Sequence, residues 1–178
     1  PFDGVVLLDC AQLSRLGPLG VRLQKSNAEI AVIDHHVGSE HGDGTVNYVD
    51  ATAAATGALV RRVFREMGVP LNAAAAEGIF LSLIADTGWF RYSNADAEVF
   101  AMTSELIAAG VDASLVYDSL FRRNHPDSVT LLAEALRGNR FRLDGKLAMV
   151  SLDKAWMERA SRADFDTDAV LDPLRSIE

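Results

Sequence analysis

A single cysteine, Cys10, leaves no partner for a disulfide within the chain, so a reducing, cytoplasmic setting is expected. No apolar run approaches the roughly 18 residues that a membrane-spanning helix needs, and no membrane contact is expected. Basic charge is scarce: 17 Lys and Arg stand against 25 Asp and Glu, a formal net charge of −8. That balance argues against a grip on long duplex nucleic acid, which takes basic stripes. It leaves room for a small anionic substrate, because bound divalent cations reverse the local field. No secretory leader is legible. The chain opens at Pro1 without a methionine and runs at once into an apolar segment, and the expectation is of a cut through a domain. Repeats and low-complexity tracts are also missing, beyond some alanine-rich helix faces.

What is present is an ordinary globular mixture, 49% hydrophobic and 24% charged, long enough for one well-packed core. Residues 5–8 form a continuous aliphatic run, as in a strand covered on both faces. Residues 29–33 repeat the pattern and end in Asp34-His35-His36. A short helix is expected over 11–16, broken at Gly17-Pro18, and residues 37–44 read as loop. A third strand follows at 46–49. From Thr52 to Gly68 the spacing predicts a helix. A second starts after Asn72, a good N-cap, and runs through Ile84. Further helices are expected at 96–109, 113–121 and 126–136. Asp144-Gly145 between 140–143 and 147–152 is a hairpin signal. Early strands followed by helices predict an α/β domain with a largely parallel sheet flanked by helices, over residues 1–137. Residues 138–178 read as the start of a second α/β domain.

In a parallel sheet the ligand crevice lies at the carboxyl ends of the strands, where Asp9 and Asp34-His35-His36 fall. Carboxylates and imidazoles around a crevice can hold divalent ions. Two such ions roughly 3.5–4 Å apart can clamp a phosphate and ready a water for attack. Each residue alone has a plainer reading. An aspartate after a strand commonly caps a helix or turn, paired loop histidines commonly face solvent, and Asp86 before Thr87-Gly88 can end a helix.

The local wording is more specific. Val32-Ile33-Asp34-His35-His36 resembles the name-giving motif of the DHH phosphoesterase superfamily. Leu7-Leu8-Asp9 resembles the aspartate motif that precedes it, and Ile84-Ala85-Asp86-Thr87-Gly88 the motif that follows. Residues 86–94, Asp-Thr-Gly-Trp-Phe-Arg-Tyr-Ser-Asn, resemble the form found in one branch, the bacterial oligoribonucleases that also remove the 3′-phosphate of pAp. The resemblance covers roughly residues 3–137, with a weaker match to the opening of the accessory DHHA1 domain.

The resemblance implies that Asp9 bridges two metals, with His35 and Asp86 as further metal ligands. It implies that His36 meets the scissile phosphate as a catalytic and substrate-binding residue. Asp34 then sits behind the ligands as a catalytic support, holding an imidazole in its tautomer. Manganese is the expected metal, with magnesium or cobalt as substitutes, in a two-metal site of the complete protein. The implied reaction is attack of a metal-activated hydroxide on phosphorus, in short oligonucleotides or pAp. One departure is serious. The family's first motif, His-x-x-x-Asp-x-Asp, occurs nowhere in this sequence, nor does the Gly-Gly substrate motif of the full accessory domain. The chain by itself is therefore expected to bind metal weakly and turn over little substrate.

Arg91 is a candidate phosphate contact, since guanidinium groups pair with phosphate oxygens; an ordinary surface ion pair is the alternative. Thr56 reads as helix packing first and a site residue second. Trp89, Phe90 and Tyr92 could stack a base or simply pack. His41 and His125 read as solvated loop residues, and nothing marks Cys10 as a nucleophile. Within the superfamily a manganese pyrophosphatase or a RecJ-like single-strand exonuclease are the alternatives. From another class, a non-catalytic nucleotide-binding module stays open. An uncovered sheet edge would invite pairing between chains, so a weak homodimer is expected.

Overall fold

The structure is a computed structural model that describes residues 3–39, 41–122 and 125–177. It divides into two compact units, Pro1–Ala113 and Ser114–Glu178.

In the first unit three parallel strands form one sheet: β1 (Gly4–Leu8), β2 (Glu29–Asp34) and β3 (Val46–Val49), in that spatial order. Leu8 lies opposite Ile33 and Asp34 opposite Val49, and the Asp9 amide donates to the Ile33 carbonyl at 3.0 Å. Register therefore delivers Asp9 and Asp34-His35-His36 to the same end of the sheet. The α/β class read from the strand-then-helix pattern is the class observed. Leu7, Ile30 and Val32 bury one sheet face against Ala11, Leu13 and Leu23. Coverage of β1 on both faces, expected from its aliphatic run, is not found. Alternate side chains point to opposite faces, and Val6 and Leu8 are 60% and 52% exposed.

Gly17-Pro18 punctuates the chain without ending its helical character. A 3₁₀ turn over Leu13–Leu16 passes through Gly17, at φ 54°, into α1 (Pro18–Gln24) with Pro18 in its first turn. A proline there loses no helical hydrogen bond. Gly20 lets the turn and α1 touch, since a Cβ at that position would stand 1.8 Å from the Leu13 carbonyl oxygen.

Three helices complete the unit: α2 (Thr56–Glu66), α3 (Ala73–Asp86) and α4 (Ala97–Ala108). The Asn72 side chain caps α3 by accepting from the Ala75 amide, and Asp96 caps α4 by accepting from the Val99 amide. The helix expected from Thr52 begins only at Thr56, because Ala55 is extended (φ −161°, ψ 156°). Ala53, Ala54 and Ala55 are buried all the same. Leu59, Phe80, Leu83, Met102 and Leu106 form the buried inner faces of the three helices. Arg61 and Arg65 share Glu105 across α2 and α4, and Arg62 reaches both Asp50 and Glu98.

The second unit contains nearly all of α5 (Ala113–Phe121), then α6 (Asp127–Arg137), an antiparallel pair β4 (Arg140–Arg142) and β5 (Leu147–Met149), α7 (Lys154–Arg162), a 3₁₀ turn over Thr167–Val170 and α8 (Leu171–Arg175). The hairpin falls where Asp144-Gly145 signals it, with Leu143, Asp144 and Gly145 all at positive φ. Compactness divides the chain earlier than the change of sequence character at 138. The reason is packing: Leu131 and Ala135 of α6 are buried with Trp156 and Ala160 of α7 and with Val170. The Trp156 indole N–H donates to the Leu131 carbonyl at 3.2 Å. Among the described residues no single helix is long and apolar enough to cross a membrane.

Leu83, fully buried in α3 one turn before Asp86, ties that carboxylate to the core. Leu83→Ala is expected to lower stability by about 2–5 kcal/mol, read as a shift of the urea midpoint. A loss below about 1 kcal/mol would show that α3 is anchored some other way.

Candidate metal centre

Asp9 stands just past β1 with φ 61°, a left-handed conformation that aspartate tolerates better than most residues. The turn swings its carboxylate over the end of β2. There His35 Nε2 lies 3.6 Å from Asp9 Oδ1 and 3.6 Å from Asp86 Oδ2. One side chain from each of three separate segments thus meets at a single imidazole nitrogen. Single ligand atoms of Asp9, His35 and His36 also fall within 4.8 Å of one another.

Hydrogen bonding sets the character of this cluster. His35 Nδ1 lies 3.2 Å from the Ala53 carbonyl oxygen. A carbonyl only accepts, so Nδ1 donates to it and Nε2 is the ring nitrogen that faces the two carboxylates. Nε2 and the two carboxylate oxygens stand across gaps too long for direct hydrogen bonds. A divalent ion fits this donor set, since nitrogen and oxygen ligands sit at about 2.0–2.2 Å from such an ion. Burial pushes the Asp86 carboxyl above its ordinary 3.8; the neighbouring His35 opposes that and the charge of Asp9 adds to it.

Asp34 and His36 form a second pair. Asp34 is 0% exposed, and its Oδ1 accepts from His36 Nδ1 at 2.7 Å and from the His36 amide at 3.2 Å. Burial would raise the Asp34 pKa, but the His36 ring, the nearby Ser39 hydroxyl and the His36 amide outweigh it and hold the carboxyl below 3.8. Asp34 Oδ2 itself makes no full hydrogen bond, so His36 is the principal partner. With Nδ1 donating inward, His36 Nε2 is the ring nitrogen left to act, on a side chain nearly half exposed.

The residues around Asp86 form an unusual turn. Gly88, Trp89 and Phe90 are all at positive φ, a costly run for bulky side chains. The Thr87 hydroxyl accepts from the Phe90 amide and donates to the Leu83 carbonyl. Tyr92 folds back so closely that a Cβ on Gly88 would stand 2.4 Å from its ring. Arg91 is exposed, with Nε donating to the Gly88 carbonyl at 2.8 Å. Trp89 and Phe90 pack with Phe80, and Phe90 also with Phe100. The Asn94 side-chain amide spans the Ala54 and Asp86 carbonyls at 3.3 and 3.0 Å.

Of the sequence-derived candidates, Asp9, His35 and Asp86 are brought together, with His36 beside Asp9 and Asp34 behind it. Ala53, which contributes its carbonyl, carried no sequence signal; Asn94 closes the 86–94 motif without an assigned role, and Thr56, read as packing before site, donates its hydroxyl to Asp9 Oδ1 at 2.7 Å. Asp9 and Asp86 also line a cavity of about 500 Å³ walled by α2 and α3, otherwise largely apolar with Leu8, Val60, Phe64 and Ile79.

No family model matches the chain. It is similar to the bifunctional oligoribonuclease and PAP phosphatase NrnA of Thermus thermophilus, 29% identical over 178 residues, which is 100% of this chain and 51% of that protein. The protein of the same name from Bacillus subtilis is 28% identical over 120 residues, 66% of this chain and 37% of that one. An A-adding tRNA nucleotidyltransferase of Geobacter sulfurreducens is 28% identical over 138 residues, 76% of this chain but 16% of that protein. Among solved structures, an exopolyphosphatase-related protein from Bacteroides fragilis superposes with a TM-score of 0.87 at 24% identity, over 99% of this chain and 52% of that one. The chain thus spans about half the length, or less, of these proteins, and has the fold of the solved one over that part.

His36→Ala removes the main donor to a fully buried carboxylate, and is expected to cost about 1–3 kcal/mol at neutral pH. The folded Asp34 carboxyl sits below its ordinary 3.8. Its stabilising contribution is therefore complete above that pH and lost as pH falls through the folded value. The gap between wild type and variant should close only as pH falls below 3.8 through the folded value, as followed by urea denaturation on acidification. A gap that stays constant through that range would contradict the Asp34–His36 assignment.

Proposed function

We propose that the chain is the catalytic portion of a metal-dependent phosphoesterase of the DHH superfamily, cytoplasmic, acting on short oligonucleotides or pAp. The observation that carries the reading is the convergence of the Asp9 and Asp86 carboxylates on His35 Nε2, each at 3.6 Å. Similarity to two proteins named bifunctional oligoribonuclease and PAP phosphatase supports the substrate class. The acidic net charge agrees with a small substrate met through bound cations.

Asp9, His35 and Asp86 are the residues that would hold the ions, manganese first, with magnesium or cobalt able to substitute. When bound, such ions polarise a phosphoryl oxygen and lower the pKa of water. The protein's own groups do the rest. The Ala53 carbonyl keeps His35 Nε2 aimed at the gap. Asp34, buried behind the ring, holds His36 by its Nδ1, so that the half-exposed Nε2 is the atom presented to a phosphoryl oxygen as its charge builds. Arg91, exposed and a few residues beyond Asp86, is the second candidate phosphate contact.

Calorimetry on the chain tests this reading, with Mn²⁺ first and substrates second. The chain is expected to bind Mn²⁺, and Asp9→Asn, His35→Ala and Asp86→Asn each to weaken binding by roughly tenfold or more. With Mn²⁺ present, pAp and a diribonucleotide should bind in preference to pyrophosphate and long single strands, with slow turnover. No Mn²⁺ binding, or equal binding by all three variants, would refute the metal centre. A preference for pyrophosphate would refute the substrate class.

A further inference from the structure

We infer that Thr56 is a positioning residue for the metal centre, acting through Asp9. The inference rests on the metal-binding reading above and names a determinant that the ligand motifs do not contain. Its starting point is the exposure of Asp9. The residue is left-handed at the end of an edge strand, and its side chain is 54% exposed. Among the described residues, the Thr56 hydroxyl is the one side chain that donates a hydrogen bond to the Asp9 carboxylate, at 2.7 Å. It binds Oδ1, the same oxygen that faces His35 Nε2.

Helix formation does not account for a hydroxyl at this position. The N-cap of α2 is Ala55, with no side-chain hydrogen bond, whereas serine or threonine at that place would stabilise the helix start. The hydroxyl sits one residue later, at the first helical position. The carbonyl that a mid-helix threonine would bond, four residues back, belongs here to Thr52, outside the helix. Thr56 is 3% exposed, so water does not satisfy its hydroxyl; Asp9 does. The three preceding alanines bring the backbone close enough for the Ala53 carbonyl to fix His35. The entry of α2 therefore orients two of the three converging side chains, one through a carbonyl and one through a hydroxyl.

The test compares Mn²⁺ affinity of the chain with that of Thr56→Val and Thr56→Ser, by titration calorimetry and by the electron paramagnetic resonance signal of free Mn²⁺. Loss of the hydroxyl should weaken binding by roughly tenfold or more, in the usual range for groups that orient a metal ligand. Serine should keep affinity within about threefold, because it keeps the donor. If valine is not accommodated, as judged by circular dichroism, Thr56→Ala against Thr56→Ser makes the same comparison. A double-variant cycle supplies the readout that a packing role would not move. With Asp9→Asn already in place, removing the hydroxyl should change affinity by less than about threefold, because the two effects run through one group. Wild-type binding left unchanged by Thr56→Val, or full additivity with Asp9→Asn, overturns the role of Thr56 alone. Absence of Mn²⁺ binding by the wild-type chain overturns the metal reading and this inference together.

Discussion

His35 Nε2 faces two carboxylate oxygens, each 3.6 Å away, while its other ring nitrogen is spoken for by the Ala53 carbonyl. Carboxylates gathered in this way repel one another until something positive stands between them. Each is fixed from outside the gap, so relaxation is restricted. Asp86 ends a helix whose inner face is core, and its partial burial raises the cost of its charge. Asp9 is itself left-handed, and its carboxylate is tied to Thr56. The fold keeps these groups close, and the proposed role of that closeness is to hold a divalent cation.

The sheet explains why they can be close at all. Parallel register places the ends of β1 and β2 side by side, and α2 and α3 close over that end. The buried Asp34 then connects backbone to chemistry. As the last residue of β2 it fixes His36 through both ring and amide, and the chain turns away immediately afterwards. Beyond Asp86 the three left-handed residues Gly88, Trp89 and Phe90 are a local strain that the Thr87 hydroxyl and aromatic packing hold in place. That strain shapes the turn from which Arg91 projects.

Much of this frame was legible in the residues, and what was not has physical reasons. Strands, cap residues Asn72 and Asp96, and the hairpin announce themselves through local chemistry. So do Asp9, His35 and Asp86, once strand ends and motif wording are considered together. Helix α1 was hidden because Gly17-Pro18 punctuates a chain in the same way whether a helix stops or starts there. The start of α2 was placed too early because buried alanines carry the same spacing in extended and helical backbone. Thr56 was ambiguous because its partner lies 47 residues away, and no local pattern reports such a bond. The open face of β1 was missed because an aliphatic run does not say how many of its faces are covered. The early division of the chain at Ala113 depends on where Leu131 and Ala135 find their partners, which is tertiary information.

Anomalous diffraction from crystals of the chain grown with Mn²⁺ tests the central claim most directly. The account predicts a manganese peak within about 2.5 Å of His35 Nε2 and of carboxylate oxygens from Asp9 and Asp86, comparable to ordinary ligand distances. A peak elsewhere, or none with Asp9, His35 and Asp86 ordered around water alone, would contradict it.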